Sequence, residues 1–106
     1  MATETCKWDG HSFNVHTINT NWNDVGGVYI FAGKTTEGRW RAYYIGETKS
    51  LKDRLTPIGG HEKWATAKRR GATHVHARAV STQTQRKQLE KDLISKYQPA
   101  GNQQGR

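Results

Sequence analysis

Two short apolar runs in the first half of the chain predict a β-hairpin. Residues 27–32 read Gly-Val-Tyr-Ile-Phe-Ala and residues 40–45 read Trp-Arg-Ala-Tyr-Tyr-Ile, with a polar, glycine-bearing stretch at 33–39 between them. Both runs are rich in β-branched and aromatic residues, which favour strands. Because apolar residues occupy successive positions, we expect both faces of these strands to be covered, as in inner strands of a sheet.

A third strand is predicted at residues 73–80, where side chains alternate in character. Small or apolar residues share one face, and His74, His76 and Arg78 share the other. The two histidines could be read as a metal pair, but no third ligand stands at a matching spacing. We therefore expect an open polar face rather than a zinc site.

Capping signals predict two short helices between these strands. Ser50 followed by Asp53 forms a capping box, so a helix should begin right after the second strand and stop by Pro57. A second helix is expected over residues 62–70, and Gly71 marks its end.

A longer helix follows the third strand. Thr82 with Gln85 forms another capping box, and apolar residues then recur at four-residue steps until Pro99. Glu90 lies about 100° around the helix from Leu89, at the edge of the buried stripe. We expect its carboxylate to be half-shielded from solvent.

The order of these elements indicates an α+β fold, with a small, mainly antiparallel three-stranded sheet flanked by helices. With 106 residues the chain is predicted to form one domain. Its core should span residues 26–102, followed by a flexible tail at 103–106. Residues 1–25 form an extension whose apolar side chains predict docking on the domain, with an extra N-terminal strand as one arrangement.

Charge points to a polyanionic partner, because the net charge is +8. Residues 49–70 carry seven basic and two acidic side chains. Nucleic acid is the first expectation and an acidic membrane surface the second; a solvated helical face is the plainer alternative. The candidate nucleic-acid-binding residues are Lys49, Lys52, Lys63, Lys68, Arg69 and Arg70.

Hydrophobic residues make up 33% of the chain, but no apolar run reaches membrane length. Only one cysteine, Cys6, is present, which excludes an intrachain disulfide. We expect a cytoplasmic protein without a membrane partner.

Five elements, in order, carry a family resemblance. They are Gly27-Val28-Tyr29, Tyr44-Ile45-Gly46, Arg54, Glu90 and Asn102. Taken singly, each has a structural explanation as a strand aromatic, a turn glycine, a surface charge or a tail residue. As an ordered set on the expected elements, they resemble the GIY-YIG nuclease family over roughly residues 26–102. The first segment departs from the family pattern only in having Val28 for isoleucine.

The resemblance implies a metal-dependent DNA endonuclease. In the family, the residue matched by Tyr29 acts as general base, and that matched by Tyr44 holds water or phosphate by hydrogen bonding. Glu90 matches the single carboxylate that binds one divalent ion, Mg²⁺ or Mn²⁺. A phenol ionises near a pKa of about 10, so a neighbouring cation or metal-bound water must favour the phenolate. The basic segment after the second strand is one candidate source of that field.

Three further site residues follow from the same resemblance. Arg54 matches an arginine that can grip a phosphate oxygen. Asn102 matches a residue that closes the site and supports the metal region. His61 lies somewhat later after Arg54 than the tyrosine or histidine of many members, and it could donate a proton or bind phosphate.

The resemblance does not specify which DNA sequence or structure is cut. Family members that cut defined sites usually carry separate DNA-reading domains, so low sequence specificity, structure-selective cutting or targeting by a protein partner is expected, and RNA is not excluded. The alternative is a catalytically inactive nucleic-acid-binding module of the same fold. Joint retention of Tyr29, Arg54 and Glu90 favours the enzyme, because binding alone needs no such carboxylate.

Overall fold

Five strands and three helices form the described part of the computed structural model, residues 4–102. The strands are β1 (Thr5–Trp8), β2 (His11–Thr17), β3 (Gly27–Lys34), β4 (Trp40–Thr48) and β5 (His74–Ala79). The helices are α1 (Leu51–Leu55), α2 (Trp64–Arg70) and α3 (Gln83–Tyr97), with short 3₁₀ turns at Ile58–Gly60 and Ala100–Asn102. The predicted α+β class is confirmed. The predicted tail at 103–106 lies outside the described residues.

The sheet is antiparallel with the order β1-β2-β5-β3-β4, so the expectation of three strands was wrong. The two additional strands form an N-terminal hairpin, and β2 of that hairpin pairs with β5. Asp9 and Gly10 connect β1 to β2 with φ angles of 51° and 82°. Positive φ at both central residues is the geometry of a tight hairpin turn, for which Asp-Gly is a favoured pair. The Asp9-Gly10 pair in the sequence was therefore a signal for this hairpin.

β4 is an edge strand, which corrects the prediction of two inner strands. β3 lies between β5 and β4 and is buried along its length except at Lys34. The β3–β4 register pairs Phe31 with Tyr44 and Ala32 with Ala42, so Tyr43 is a bulge residue. Because a bulge reverses the usual alternation, Tyr43 and Tyr44 both pack toward the same face of the sheet.

Each face of the sheet carries its own buried cluster. The Phe31 face is covered by α1 and α2, and its cluster includes Trp22, Tyr29, Phe31, Leu51, Leu55 and Trp64. The Ile30 face is covered by α3 and the N-terminal hairpin, and its cluster includes Trp8, Phe13, Ile30, Ile45, Leu89 and Leu93. Residues of the N-terminal extension thus contribute to both clusters.

The expected open face of the third strand is covered, because the side chains of Trp8 and Trp40 pack against His76. His76 is fully buried, and its Nδ1 accepts a hydrogen bond of 3.0 Å from Nε1 of Trp8. The Trp40 ring lies 4.5 Å from the His76 ring. Only His74 and Arg78 of this face keep partial exposure.

The N-cap half of each predicted capping box is confirmed, while the Ser50 N–H donates to Thr48 Oγ1 rather than to the Asp53 side chain. Ser50 Oγ accepts from the Asp53 backbone N–H at 3.1 Å, and Thr82 Oγ1 accepts from that of Gln85 at 3.3 Å. The middle helix begins at Trp64 rather than at residue 62. Within residues 4–102, no helix has both the length and the apolar content that crossing a bilayer requires.

Candidate active site

Tyr29 and His61 form the buried centre of the site. The Tyr29 Oη and the His61 Nε2 are 2.7 Å apart, and both side chains are almost fully buried. His61 Nδ1 accepts the Lys63 backbone N–H at 3.0 Å. Burial, with help from the charge of Arg54, lowers the His61 pKa to about 4, so the ring is neutral at pH 7. A neutral ring whose Nδ1 accepts carries its hydrogen on Nε2, which therefore donates to Tyr29.

Gly46 allows the Tyr29 ring to reach this position. Tyr29 on β3 stands opposite Gly46 on β4. A Cβ atom on Gly46 would lie 2.5 Å from both Cζ and Oη of Tyr29, closer than real Cβ contacts. The glycine of the second motif segment is thus needed for the tyrosine of the first to cross the neighbouring strand.

Tyr44 and Arg54 adjoin this pair. The half-buried Tyr44 ring lies 6.2 Å from the Tyr29 ring and 5.4 Å from the His61 ring. Arg54 projects from α1 toward both tyrosines, and its charge lowers their pKa values in part. Its guanidinium also forms an ion pair with the exposed carboxylate of Glu62. Four of the residues selected from the sequence therefore meet on the Phe31 face.

The electrostatics of Tyr29 differ from the expectation. Burial raises its pKa above the ordinary value, and Tyr44 adds to the shift, while Arg54 opposes it only in part. The basic segment therefore does not bring the pKa of the buried phenol below its ordinary value in the protein alone. Tyr29 is protonated at neutral pH.

Glu90 approaches from the other side of β4, on α3. It is half-buried, and burial and the Glu47 carboxylate raise its pKa, with smaller opposing effects from the Glu47 backbone and Lys87. Glu47 itself is paired with the buried Arg86 at 3.1 Å and with Lys87 at 3.7 Å. The charge of Glu90 also contributes to the raised pKa of Tyr44, behind the larger effect of burial.

These surroundings fit a divalent cation at Glu90. Among residues 4–102, Glu90 has no ion-pair partner, although its carboxylate is half-buried beside a second one. Nowhere in that range do three His, Cys, Asp or Glu side chains gather as a ligand set. A cation here would take one carboxylate from the protein and its other ligands from water and substrate oxygens, as suits Mg²⁺.

Asn102 lies against the backbone of β4 and contacts neither tyrosine hydroxyl. Its Nδ2 donates to the Ile45 carbonyl and its Oδ1 accepts the Ile45 N–H, both at 2.8 Å. The amide thus occupies the free edge of β4 as a neighbouring strand would. This contact fixes the segment that carries Tyr44 and Gly46.

Charged residues that the motif does not include also shape the site. Glu62 is the ion-pair partner of Arg54. In the sequence it was only one of the two acidic residues in the basic segment 49–70. Arg86 and Glu47 form a buried pair beside Glu90. The sequence gives no signal for such contacts, because the pairing depends on how the elements pack against one another.

The candidate nucleic-acid-binding residues surround the Phe31 face. They lie on α1 and α2 and in the adjoining turns; Lys63 is half-exposed and the others are exposed. Five of them form no ion pair with any residue in 4–102, namely Lys49, Lys52, Lys68, Arg69 and Arg70. Their charge is therefore available to solvent and to a polyanion.

Comparison with known proteins identifies relatives by structure. No family model and no curated protein sequence matches the chain. The GIY-YIG N-terminal endonuclease domain of UvrC from Thermotoga maritima, bound to its catalytic magnesium, matches with a TM-score of 0.63 and 30% identity. The match covers 76% of this chain and 86% of that chain.

Point mutants of the same Thermotoga maritima domain, also bound to the catalytic divalent cation, match similarly. One with a tyrosine replaced by phenylalanine has a TM-score of 0.61 at 30% identity, over 76% of this chain and 86% of that one. One with an asparagine replaced by alanine has a TM-score of 0.61 at 29% identity, over 76% and 84%. The motif order, the fold and this similarity agree, and the chain belongs to the GIY-YIG nuclease family.

Proposed function

We propose that this protein is a divalent-metal-dependent endonuclease that hydrolyses phosphodiester bonds in DNA. The observation that carries the proposal is the Tyr29 hydroxyl, held 2.7 Å from a neutral, buried His61. The similarity to an endonuclease domain bound to magnesium supports it. Metal dependence, the DNA substrate and the residue roles below are parts of this proposal.

Tyr29 is the proposed general base. A phenol can remove a proton from water only as the phenolate, and the Tyr29 oxygen receives the His61 Nε2–H. The nearby charge of Arg54 also favours the phenolate. Both effects stabilise the negative oxygen once it forms. His61 is then a positioning residue that acts through Tyr29, and the raised pKa of Tyr29 implies a rate that rises with pH.

Arg54 is the proposed phosphate ligand. Its guanidinium contacts Glu62, and this exposed carboxylate can move into solvent. An entering phosphate would exchange one anion for another on the same guanidinium. The planar fork of arginine suits two oxygens of a phosphate, including the charge that grows there as water attacks. Tyr44 is the proposed donor of a further hydrogen bond to the phosphate or to the attacking water.

Glu90 is the proposed metal ligand. A divalent ion, Mg²⁺ or Mn²⁺, would supply positive charge for the attacked phosphate and for the departing 3′ oxygen. Burial and the neighbouring Glu47 carboxylate raise the pKa of Glu90, which means that its negative charge is unfavourable there. A bound cation would neutralise that charge. Asn102 supports the proposed metal site by fixing the backbone of β4 at Ile45.

The basic residues around the Phe31 face are the proposed surface for the DNA backbone. Contacts to phosphate carry no sequence information, so cutting of low sequence specificity or direction by a partner protein is expected. RNA offers the same phosphates and remains a candidate substrate. The alternative of binding without cleavage draws support from the raised pKa of Tyr29 and from the Arg54–Glu62 pair.

The deciding experiment is cleavage of supercoiled plasmid and branched DNA with Mg²⁺ or Mn²⁺. Wild type should cut only with metal, and Glu90→Ala should not cut. Glu37→Ala, which removes an exposed carboxylate in the β3–β4 loop, should cut like wild type and is the control. Equal cutting by Glu90→Ala would exclude the mechanism, and DNA binding without cutting by wild type would favour the inactive module.

A further inference from the structure

A second concave surface lies beside the edge of β4, and the proposed reaction does not use it. This cleft has a volume of about 550 Å³, and its lining includes Trp8, Trp40, Arg41, Tyr43, Arg70 and Tyr97. Its volume falls within the range of roughly 300–1,000 Å³ that is typical of small-molecule sites. No aspartate or glutamate among the described residues lines it.

The aromatic wall of the cleft is fixed by contacts behind it. Trp8 donates its Nε1 hydrogen to His76 and packs edge-to-face on Tyr97 with ring centroids 5.1 Å apart. Trp40 packs edge-to-face on His76 at 4.5 Å and on His74 at 5.2 Å, yet it keeps part of its surface exposed. A ligand that stacks here meets rings that are already ordered, which lowers the entropic cost of binding.

The cleft is also electropositive. Arg41 and Arg70 are exposed, and neither forms an ion pair with residues in the described part of the chain. Asp9 lies close by, since its backbone N–H donates to the Tyr97 hydroxyl. Its carboxylate is paired with Lys96 at 2.9 Å, so it does not offset the arginines.

Aromatic rings with unpaired arginines are the features of sites that bind single-stranded nucleic acid. Aromatic side chains stack on bases of any sequence, and cationic side chains follow the phosphates. A base in a duplex has both faces covered by its neighbours, so only an unpaired base can present a face to Trp40. Such a base would take the place of Lys34 Nζ, which lies over the Trp40 ring 5.1 Å from its centroid. We propose that this cleft binds an unpaired nucleotide of a nucleic-acid strand. Because the strand is the nuclease substrate, the inference rests on the proposed function.

A smaller hollow adjoins the cleft, between β4 and α2. It has a volume of about 130 Å³ and shares Tyr43, Arg70 and Ala100 with the cleft. The bulge turns Tyr43 toward the same face as Tyr44. A bound strand can therefore pass from the cleft along Tyr43 to Tyr44. This path favours substrates with an unpaired stretch next to the cut, such as a flap, a gap or a branch.

The test measures binding without metal, so that it does not depend on cleavage. The probes are a labelled oligothymidylate of about 12 nucleotides, within the range that small single-strand-binding domains cover, the corresponding abasic chain, and a duplex of the same length. Wild type should bind the oligothymidylate at least about 5-fold more tightly than the abasic chain, because stacking of one base is worth about 1–3 kcal/mol.

Matched double variants locate the site. Arg41→Ala with Arg70→Ala should weaken oligothymidylate binding about 10-fold or more. Lys7→Ala with Lys91→Ala removes the same charge from exposed positions outside the cleft, and it should weaken binding less than about 3-fold. Quenching of tryptophan fluorescence by the oligothymidylate should also decrease in Trp40→Phe, a variant chosen to preserve the packing on His76.

Equal loss in the two double variants, or equal affinity for chains with and without bases, would overturn the inference. The binding test of the cleft and the cleavage test of the proposed function can fail independently. Base-dependent binding at the cleft by a protein that never cuts DNA would reject the nuclease proposal alone. Cleavage by a protein that shows no base-dependent binding would reject the cleft alone.

Discussion

His61 and His76 are buried on opposite faces of the same sheet and differ in what their rings contact. Burial lowers the pKa of each to about 4, so both are neutral at pH 7. His61 uses both nitrogens, and its Nε2 meets the hydroxyl of Tyr29. His76 accepts a hydrogen bond from Trp8, and its Nε2 is the one buried side-chain N or O atom without a partner in residues 4–102.

Under the proposed function, the comparison teaches that a depressed histidine pKa does not by itself mark a catalytic site. Both values have the same main cause, which is loss of solvent around a cationic ring. The partner makes the difference, because a phenol can exchange a proton with substrate water while an indole in a core cannot. His61 also lies near the partly exposed Arg54, whereas His76 is enclosed by the rings of Trp8 and Trp40.

The largest loss of cleavage is expected when Tyr29 is forced away from His61. In Gly46→Ala, the new Cβ would fall 2.5 Å from the Tyr29 ring, so the ring must move. We expect cleavage to fall by about 100-fold or more, and the free energy of unfolding to fall by about 1–3 kcal/mol. Plasmid nicking and urea denaturation measure the two effects.

Gly59→Ala is the matched control, because a Cβ there has no atom within 4 Å. Its nicking rate should equal that of wild type, with a stability change under about 1 kcal/mol. A normal nicking rate for Gly46→Ala would show that the observed position of Tyr29 is not required.

Exchanging each histidine for glutamine compares the two faces directly. His61→Gln should slow cleavage by about 10- to 100-fold, the value of one hydrogen bond to a charged oxygen. The rise of its rate with pH should also move to higher pH, because the flexible glutamine amide holds an N–H donor less firmly against the phenolate of Tyr29 than the buried ring does. The pH profile of single-turnover nicking measures both effects.

His76→Gln should leave the nicking rate within about 3-fold of wild type. Its effect should appear in the free energy of unfolding, which we expect to fall by about 1–3 kcal/mol because the Trp8 indole loses a well-placed acceptor. A larger loss of nicking in folded His76→Gln than in His61→Gln would reverse the functional assignment.

The smallest expected effect is the pH dependence of stability. Each histidine has a folded pKa below its unfolded value, so the unfolded chain takes up protons first as the pH falls. The free energy of unfolding should therefore decrease between about pH 6.5 and pH 4, by about 1 kcal/mol per histidine between pH 7 and 5.5. Urea titrations should show about half of this decrease in His76→Gln, and an unchanged slope would contradict the burial of a neutral ring.

Local signals predicted much of the fold. The caps at Ser50 and Thr82 depend only on residues within one turn, and the structure has both. The Asp9-Gly10 pair is also a local signal, since it is typical of a tight hairpin turn. This hairpin adds the two strands that the sequence analysis did not count. The edge position of β4 could not be predicted in this way, because apolar runs indicate covered faces and do not indicate which edges are paired.

The motif located the residues of the site but not their contacts. Tyr29 and His61 are 32 positions apart, and no spacing rule joins a strand tyrosine to a residue in a turn between helices. The Arg54–Glu62 pair and the direction of the Tyr29 pKa shift also depend on packing. Burial of His76 depends on a hairpin contributed by a distant part of the chain.

The most direct test of the account is single-turnover nicking by Tyr29→Phe, measured together with DNA affinity. The substitution removes one hydroxyl and keeps the ring that packs on Phe31 and Tyr44. We predict a rate at least about 100-fold below wild type, with unchanged affinity for DNA because the basic surface is intact. Nicking at the wild-type rate, or an equal loss of binding, would contradict the assignment of Tyr29 as the base.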